Sequence, residues 1–222
     1  MDGVLVTAHN FWLELHKKFG TLEEGTQLTK AYLTTDYNKL VQEVVGRLWG
    51  GRDATPYHAL VDAIPCMPGI DEFFQELGRF KQGSDVVPRA IISGGCYDVA
   101  ERIKKKHGVD FIFANQLIIR NGITTGEFKW PVGYGGFTKS QIIEQLCDDL
   151  EILPQEVLMI GDSDGDIQAF RIAGVSIAFN SKSEQLKKTA TYVVDSNDLR
   201  DIIPILQQIR EQAGTTREES RI

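Results

Sequence analysis

Val157-Leu158-Met159-Ile160-Gly161-Asp162-Ser163-Asp164-Gly165-Asp166 joins a short apolar run to a loop holding three carboxylates in five residues. An apolar run of this length, cut off by Gly and Asp, reads as a buried strand opening into a polar loop. Thr138 and Gln141 precede it as a capping-box start for a helix to about Asp149. After it come a helix, the strand Val175–Phe179, a helix, the strand Thr191–Val194 and a last helix. Upstream the same alternation continues. Pro68-Gly69 opens a helix with Ile70, Phe73, Phe74 and Leu77 on one face. Ala90-Ile91-Ile92 is a strand ending at Ser93-Gly94-Gly95; a helix to about Lys106 and the strand Phe111–Phe113 follow. Asn121-Gly122 between two apolar arms, Leu117–Arg120 and Ile123–Thr125, predicts a hairpin, because both central residues of its tight turn need φ > 0. Strands alternating with helices imply an α/β fold, a doubly wound and mostly parallel sheet covered on both faces.

Residues 9–65 break that rhythm. Phe11, Trp12, Leu15 and Phe19, then Tyr37, Leu40, Val41, Val44, Val45 and Leu48, recur at helical spacing without β-branched alternation. The expected division is therefore a core of residues 1–8 and 66–210, a helical module over 9–65, and a polar, frayed tail over 211–222. The chain has 222 residues and a formal charge of −7, which argues against a nucleic-acid surface, since phosphate backbones demand clustered Lys and Arg. No apolar run reaches the roughly 20 residues of a membrane span. The opening Met1-Asp2-Gly3 is unlike a secretory signal. Three widely spaced cysteines (Cys66, Cys96, Cys147) form neither a disulfide framework nor a zinc pattern, and a reducing cytoplasm suits them best.

In open parallel α/β sheets, ligands bind beyond the carboxyl ends of the strands. Three polar clusters fall there: Asp2 in the opening loop, Ser93-Gly94-Gly95, and Asp162–Asp166. Lys139 stands at a helix start. Crowded carboxylates repel unless a cation or strong hydrogen bonds offset them. Hard oxygen donors suit Mg²⁺, whereas the twelve-residue spacing of a calcium loop is missing. A solvated acidic turn is the equal alternative. Ser93-Gly94-Gly95 can offer a hydroxyl and amides to an anion, or it is an ordinary strand-to-helix turn. Lys139 alone signals nothing more than a solvated lysine.

Taken in order, Asp-Gly, Ser, Lys and Gly-Asp-x-x-x-Asp resemble the haloacid dehalogenase-like superfamily of Mg²⁺-dependent phosphatases, and within it the phosphoserine phosphatases and their archaeal-type relatives. Ile92–Gly95, Phe113–Leu117, Gly122–Gly126, Thr138-Lys139 and Ile160–Asp162 carry the likeness. The resemblance implies that residues 9–65 are an α-helical cap inserted after the first motif. It implies a phospho-aspartate mechanism on a small phosphorylated metabolite; from the charge and the apolar run lengths, no nucleic-acid or membrane partner is expected. In the family motif Asp-x-Asp-Gly the first Asp attacks and the second is general acid and base. Asp2-Gly3-Val4 matches from the second Asp, so the nucleophile is expected immediately before Met1. Asp2 cannot be the nucleophile itself, because its partner two residues on would be Val4. By the same resemblance Ser93 and Gly94 hold the phosphoryl oxygens and Lys139 balances charge. Asp162, with Asp2 through its carbonyl and Asp166 in support, serves Mg²⁺.

The residues that read serine in the family do not carry over. His9 replaces the Glu expected for the substrate amine. Val44 replaces the Arg expected for the carboxylate, with Arg47 one turn later. His9 and Trp12 become the residues that could line a different pocket, against the plainer reading of Trp12 as cap core. The other histidines (His16, His58, His107) read as surface or cap residues. Cys96 near a helix start has a position that can lower a thiol pKa. The expectation is a phosphatase whose residues 1–222 alone turn over little. The alternatives are an inactive phosphometabolite- or protein-binding homologue, or a phosphotransferase.

Overall fold

A computed structural model describes residues 1–82, 85–134 and 136–219. Helices α1 (Phe11–Phe19), α2 (Leu22–Tyr32) and α3 (Tyr37–Val41, running on as a π-helical stretch Gln42–Trp49) come first, followed by α4 (Thr55–Ala63) and α5 (Ile70–Leu77). Then come β1 (Lys81–Gln82), β2 (Asp85–Val86), β3 (Ala90–Cys96), α6 (Tyr97–His107), β4 (Phe111–Arg120), β5 (Ile123–Lys129) and α7 (Lys139–Leu150). The chain closes with β6 (Leu158–Gly161), α8 (Ile167–Ile172), β7 (Val175–Phe179), α9 (Glu184–Thr189), β8 (Tyr192–Val194) and α10 (Ile203–Glu219). Residues 211–219 of the expected frayed tail continue α10 as helix, and residues 220–222 lie outside the described residues. No helix among the described residues is long and apolar enough to cross a membrane.

Local chemistry sets the boundaries. Asn10 begins α1 by accepting the Leu13 amide, and Thr138 and Gln141 form the reciprocal capping box that starts α7. Asn121 (φ 52°) and Gly122 (φ 76°) turn β4 into antiparallel β5. The β1–β2 pairing leaves no hydrophobic alternation in the sequence and was not expected.

The sheet is mostly parallel, β3 with β4 and β6 with β7 and β8, but it stands in two hydrogen-bonded pieces, β3-β4-β5 and β6-β7-β8. The opening residues touch both. An added Cβ at Gly95, near the end of β3, would lie 2.8 Å from Asp2 Oδ1, while one at Gly3 would collide with Asp162 just beyond β6. Instead of a long strand, residues 2–6 form a tight turn. The amides of Val4, Leu5 and Val6 point at the Met1 carbonyl, and single bridges join Asp2 to Val6 and Val6 to Cys66. Val4, Leu5 and Val6 are buried in one apolar cluster with Phe11, Leu15, Ile91, Ile177 and Phe179.

Two sequence expectations change. β3 does not stop at Ile92: the backbone continues as strand to Cys96, with a register shift against β4 between Ser93 and Cys96. His107 is not a surface residue. Its side chain is 6% exposed and stacks on Phe74 at 4.4 Å. His16 is buried beside Thr21 and Trp49.

Candidate active site

The carboxyl ends of β3 and β6 face a cavity of about 220 Å³. The opening segment and the start of α1 contribute Asp2, His9, Asn10 and Trp12; β3 contributes Ser93, Gly94 and Gly95; α7 contributes Lys139; the loop after β6 contributes Asp162 and Ser163. Asp2, His9, Ser93, Gly94, Lys139 and Asp162 all line this one cavity, whereas Asp166 does not line it and pairs with Lys139. A second cavity, about 280 Å³, opens by Cys66, Arg102 and His107 near the far end of α6 and is lined by none of those six residues.

Asp166 is 1% exposed and fully engaged. Its Oδ1 takes Lys139 Nζ at 2.6 Å; its Oδ2 accepts the amides of Asp162 and Ser163 and the Ser163 hydroxyl at 3.1–3.2 Å. Burial pushes this carboxyl upward, but the Lys139 charge and hydrogen bond and the Ser163 amide outweigh it, leaving Asp166 below the ordinary carboxylate range. With its oxygens spent on the loop, Asp166 shapes the site and is not itself open to a metal. Asp164 is likewise occupied, accepting the Ser183 hydroxyl.

Asp162 and Asp2 are the reverse case. The Asp162 carboxylate has no hydrogen-bond or ion-pair partner among the described residues. Burial and the neighbouring Asp166 raise its pKa, against the pull of the buried Met1 amino group and Lys139. Asp2 Oδ2 accepts the Phe11 amide at 3.2 Å, while Oδ1 is buried with no partner. Burial lifts Asp2 above its usual range, opposed by the Met1 amino group and the Phe11 amide. The Met1 amino group is itself lowered by burial and by Lys139. Gly3 lets these groups meet. Its φ is +71°, and any side chain there would strike Asp162.

Among the described residues, no three His, Cys, Asp or Glu side chains converge to hold a metal by themselves. Two incompletely compensated carboxylates held above their usual range in one cavity nevertheless fit a hard divalent cation that takes one or two carboxylates and completes its shell with carbonyl, substrate and water oxygens.

Another side of the cavity is built from β3. Ser93, 5% exposed, accepts the Gly95 amide at its hydroxyl at 3.0 Å. The Gly94 carbonyl is fixed by Trp12 Nε1 at 2.9 Å and Asn115 Nδ2 at 3.1 Å. Asn115, 3% exposed, also accepts the Val132 amide. Sequence reasoning missed Asn115 as a support. A polar residue inside the apolar β4 stretch was the available signal, since buried polar side chains persist only where they are hydrogen-bonded. Cys96 is corrected. Burial pushes its thiol up to about 12, and it contacts Tyr57 Oη at 3.1 Å, so it is a packed core group and not a nucleophile. The chain's three cysteines are all free.

Known proteins resemble this chain in sequence and fold. The model for the haloacid dehalogenase-like hydrolases matches residues 96–203. The phosphoserine phosphatase of Methanocaldococcus jannaschii is 35% identical over 195 residues, 87% of this chain and 89% of that protein. The one from Archaeoglobus fulgidus is 30% identical over 209 residues, but these cover only 58% of its length. A solved phospho-aspartyl intermediate analogue of phosphoserine phosphatase superposes with a TM-score of 0.74 at 27% identity, over 92% of this chain and 95% of that one. A substrate-bound phosphoserine phosphatase complex gives 0.73 at 27%, over 92% and 94%. The chain belongs to the haloacid dehalogenase-like hydrolases, in their phosphoserine phosphatase-like branch.

Proposed function

We propose that the protein is a Mg²⁺-dependent phosphomonoester hydrolase acting on a small phosphorylated metabolite through a phospho-aspartate intermediate. The observation that carries this reading is Asp2: one oxygen pinned by the Phe11 amide, the other buried and unpartnered, in the cavity shared by Ser93, Lys139 and Asp162. A carboxyl held this way can give a proton to a departing alcohol and later take one from water.

Ser93 and the Gly94 amide hold the phosphoryl oxygens, and Lys139, steadied by Asp166, neutralises charge that develops there. Asp162 and the Asp2 carbonyl would hold Mg²⁺, which supplies further charge neutralisation at the phosphoryl group. Residues 9–65, which carry α1 to α4, serve as the cap, and residues 1–8 and 66–210 as the core. By the motif, the attacking carboxylate belongs one position before Met1. Within residues 1–222, Val4 stands two residues after Asp2 and is buried, so it cannot act as proton donor to an attack by Asp2. This favours a second reading for residues 1–222 taken alone, namely phosphate binding with little turnover.

The test compares p-nitrophenyl phosphate hydrolysis with Mg²⁺ by residues 1–222 and by the same chain preceded by an apolar strand ending in Asp. The extended protein should be faster by several orders of magnitude, because groups that act as a unit fail together. Equal rates would remove the assignment of Asp2 as acid and base. An inactive extended protein that still binds phosphate would select the binding homologue instead.

A further inference from the structure

Asp2, Ser93, Gly94, Lys139 and Asp162 act on the phosphoryl end of an ester. The rest of the ester meets what remains of the lining, chiefly His9, Asn10 and Trp12. Apart from His9, this part of the wall carries no titratable side chain. Lys139 is held by Asp166 at 2.6 Å. Both arginines of residues 9–65 are committed elsewhere: Arg47 pairs with Glu24 and Glu43 at the surface, and Arg52 donates to the Leu48 and Phe19 carbonyls. Val44 is buried in the apolar cluster. Among the described lining residues, Lys139 is the only lysine or arginine, and Asp166 already holds it; a substrate carboxylate left without a cation in a half-enclosed cavity binds badly.

The broad surface left on this wall is the Trp12 indole, backed by further rings that do not themselves line the cavity. Trp12 is locked beside the phosphoryl loop by its hydrogen bond to the Gly94 carbonyl. Its ring meets Phe128 edge-on at 5.0 Å; Phe128 stacks on Trp130 at 6.0 Å; Trp130 meets Tyr37 at 5.9 Å; and Tyr37 stacks on Tyr134, 53% exposed. An unbroken series of ring contacts thus leads from the anion loop to the surface. Its partners fix the orientation of Trp12 in advance, so little ordering cost falls on binding.

Resting on the phosphomonoester reading above, we infer that the alcohol of the substrate is uncharged and carries an aromatic or comparably flat apolar group, with Trp12 as the specificity-determining contact. An amino-acid phosphate is then a poor ligand.

Calorimetric titration of residues 1–222 in Mg²⁺ with phenyl phosphate, phosphoserine and inorganic phosphate tests this. Phenyl phosphate should bind about 10-fold more tightly than phosphoserine, the scale of a ring contact added to an unpaired carboxylate avoided. In Trp12→Ala the ratio should fall to the part owed to the unpaired carboxylate, and in Trp12→Phe more of it should remain. Circular dichroism establishes that each variant is folded; if Trp12→Ala is not, the wild-type and Trp12→Phe ratios decide. Phosphoserine binding as tight as phenyl phosphate, or a preference undiminished in folded Trp12→Ala, overturns the inference while leaving the phosphomonoester reading intact. Failure of all three ligands to bind overturns both.

Discussion

The loop after β6 and the opening turn meet in one cavity, yet they treat their carboxylates in opposite ways. In the loop, Asp166 is buried and every oxygen is used, with Lys139 on one side and two amides and a hydroxyl on the other. In the opening turn, Asp2 is buried with one oxygen held and the other unpartnered. Burial acts on both in the same direction; only the partners differ, and they leave Asp166 below its ordinary range and Asp2 above it. A saturated carboxylate is a structural bolt. An unsaturated one stores a cost that a proton, a cation or a substrate can relieve, and such groups gather where chemistry is done.

Breaking the bolt should have the largest effect. Lys139→Met keeps the length of the side chain but removes the cation from a pair whose members are 18% and 1% exposed. Leaving a buried charge uncompensated costs about 3–5 kcal/mol. Urea unfolding of the variant should show that loss, and Lys139→Met combined with Asp166→Leu should recover much of it, because two apolar groups impose no buried charge. A loss below about 1 kcal/mol would mean that the pair behaves like a surface ion pair and that the contrast with Asp2 is false.

The second prediction reads the contrast through pH. The folded pKa of Asp166 is lowered, so its contribution is present above the unfolded carboxylate pKa of about 4 and is lost as pH falls through the folded value. For Asp2 the folded pKa is raised. Its contribution is full below about pH 4 and is lost as pH rises through the folded value. In chelator, Asp2→Asn should therefore leave acid stability nearly unchanged and raise stability near neutrality by about 1–2 kcal/mol, the scale of an unsatisfied buried polar group. Denaturant midpoints of both proteins at several pH values give the difference directly. A substitution that destabilises near pH 7 would show that Asp2 has a partner after all.

The same contrast explains how much could be read from the residues. The acidic loop was legible because its structure is local. A capping box, an apolar run and three spaced carboxylates all lie within residues 138–166, and α7, β6 and the loop appear within a residue or two of their expected places. The Asn121-Gly122 hairpin was legible for the same reason. The opening turn was less so. Asp-Gly-Val-Leu-Val reads like a strand end entering a loop, but the structure folds residues 2–6 back onto the Met1 carbonyl, a contact no hydrophobic period encodes. The partition of the sheet into two pieces, the supports from Asn115 and Trp12 to Gly94, and the burial of His107 also depend on contacts between residues far apart in the chain. Gathering the candidate residues in one cavity was foreseeable, since strand ends converge. Which carboxylate would be saturated was not.

The smallest predicted effect asks what aims Lys139 at Asp166. Two devices are available: the ion pair itself, and the capping box that begins α7 at the residue before Lys139. Thr138 accepts the Gln141 amide, and Gln141 accepts the Thr138 amide in return. Thr138→Ala removes one half of that exchange at an exposed site and should cost about 1 kcal/mol. If the ion pair aims the lysine, the variant should unfold earlier by that amount alone, with the Asp166 titration seen by carboxyl-carbon NMR still below its ordinary range. If the cap aims it, the first turn of α7 frays, Lys139 Nζ loses its 2.6 Å contact, and the Asp166 titration moves upward as burial goes unopposed. The geometry favours the first outcome. The carboxylate is fixed by three other donors whether or not α7 is capped, and a flexible four-carbon stem can follow it.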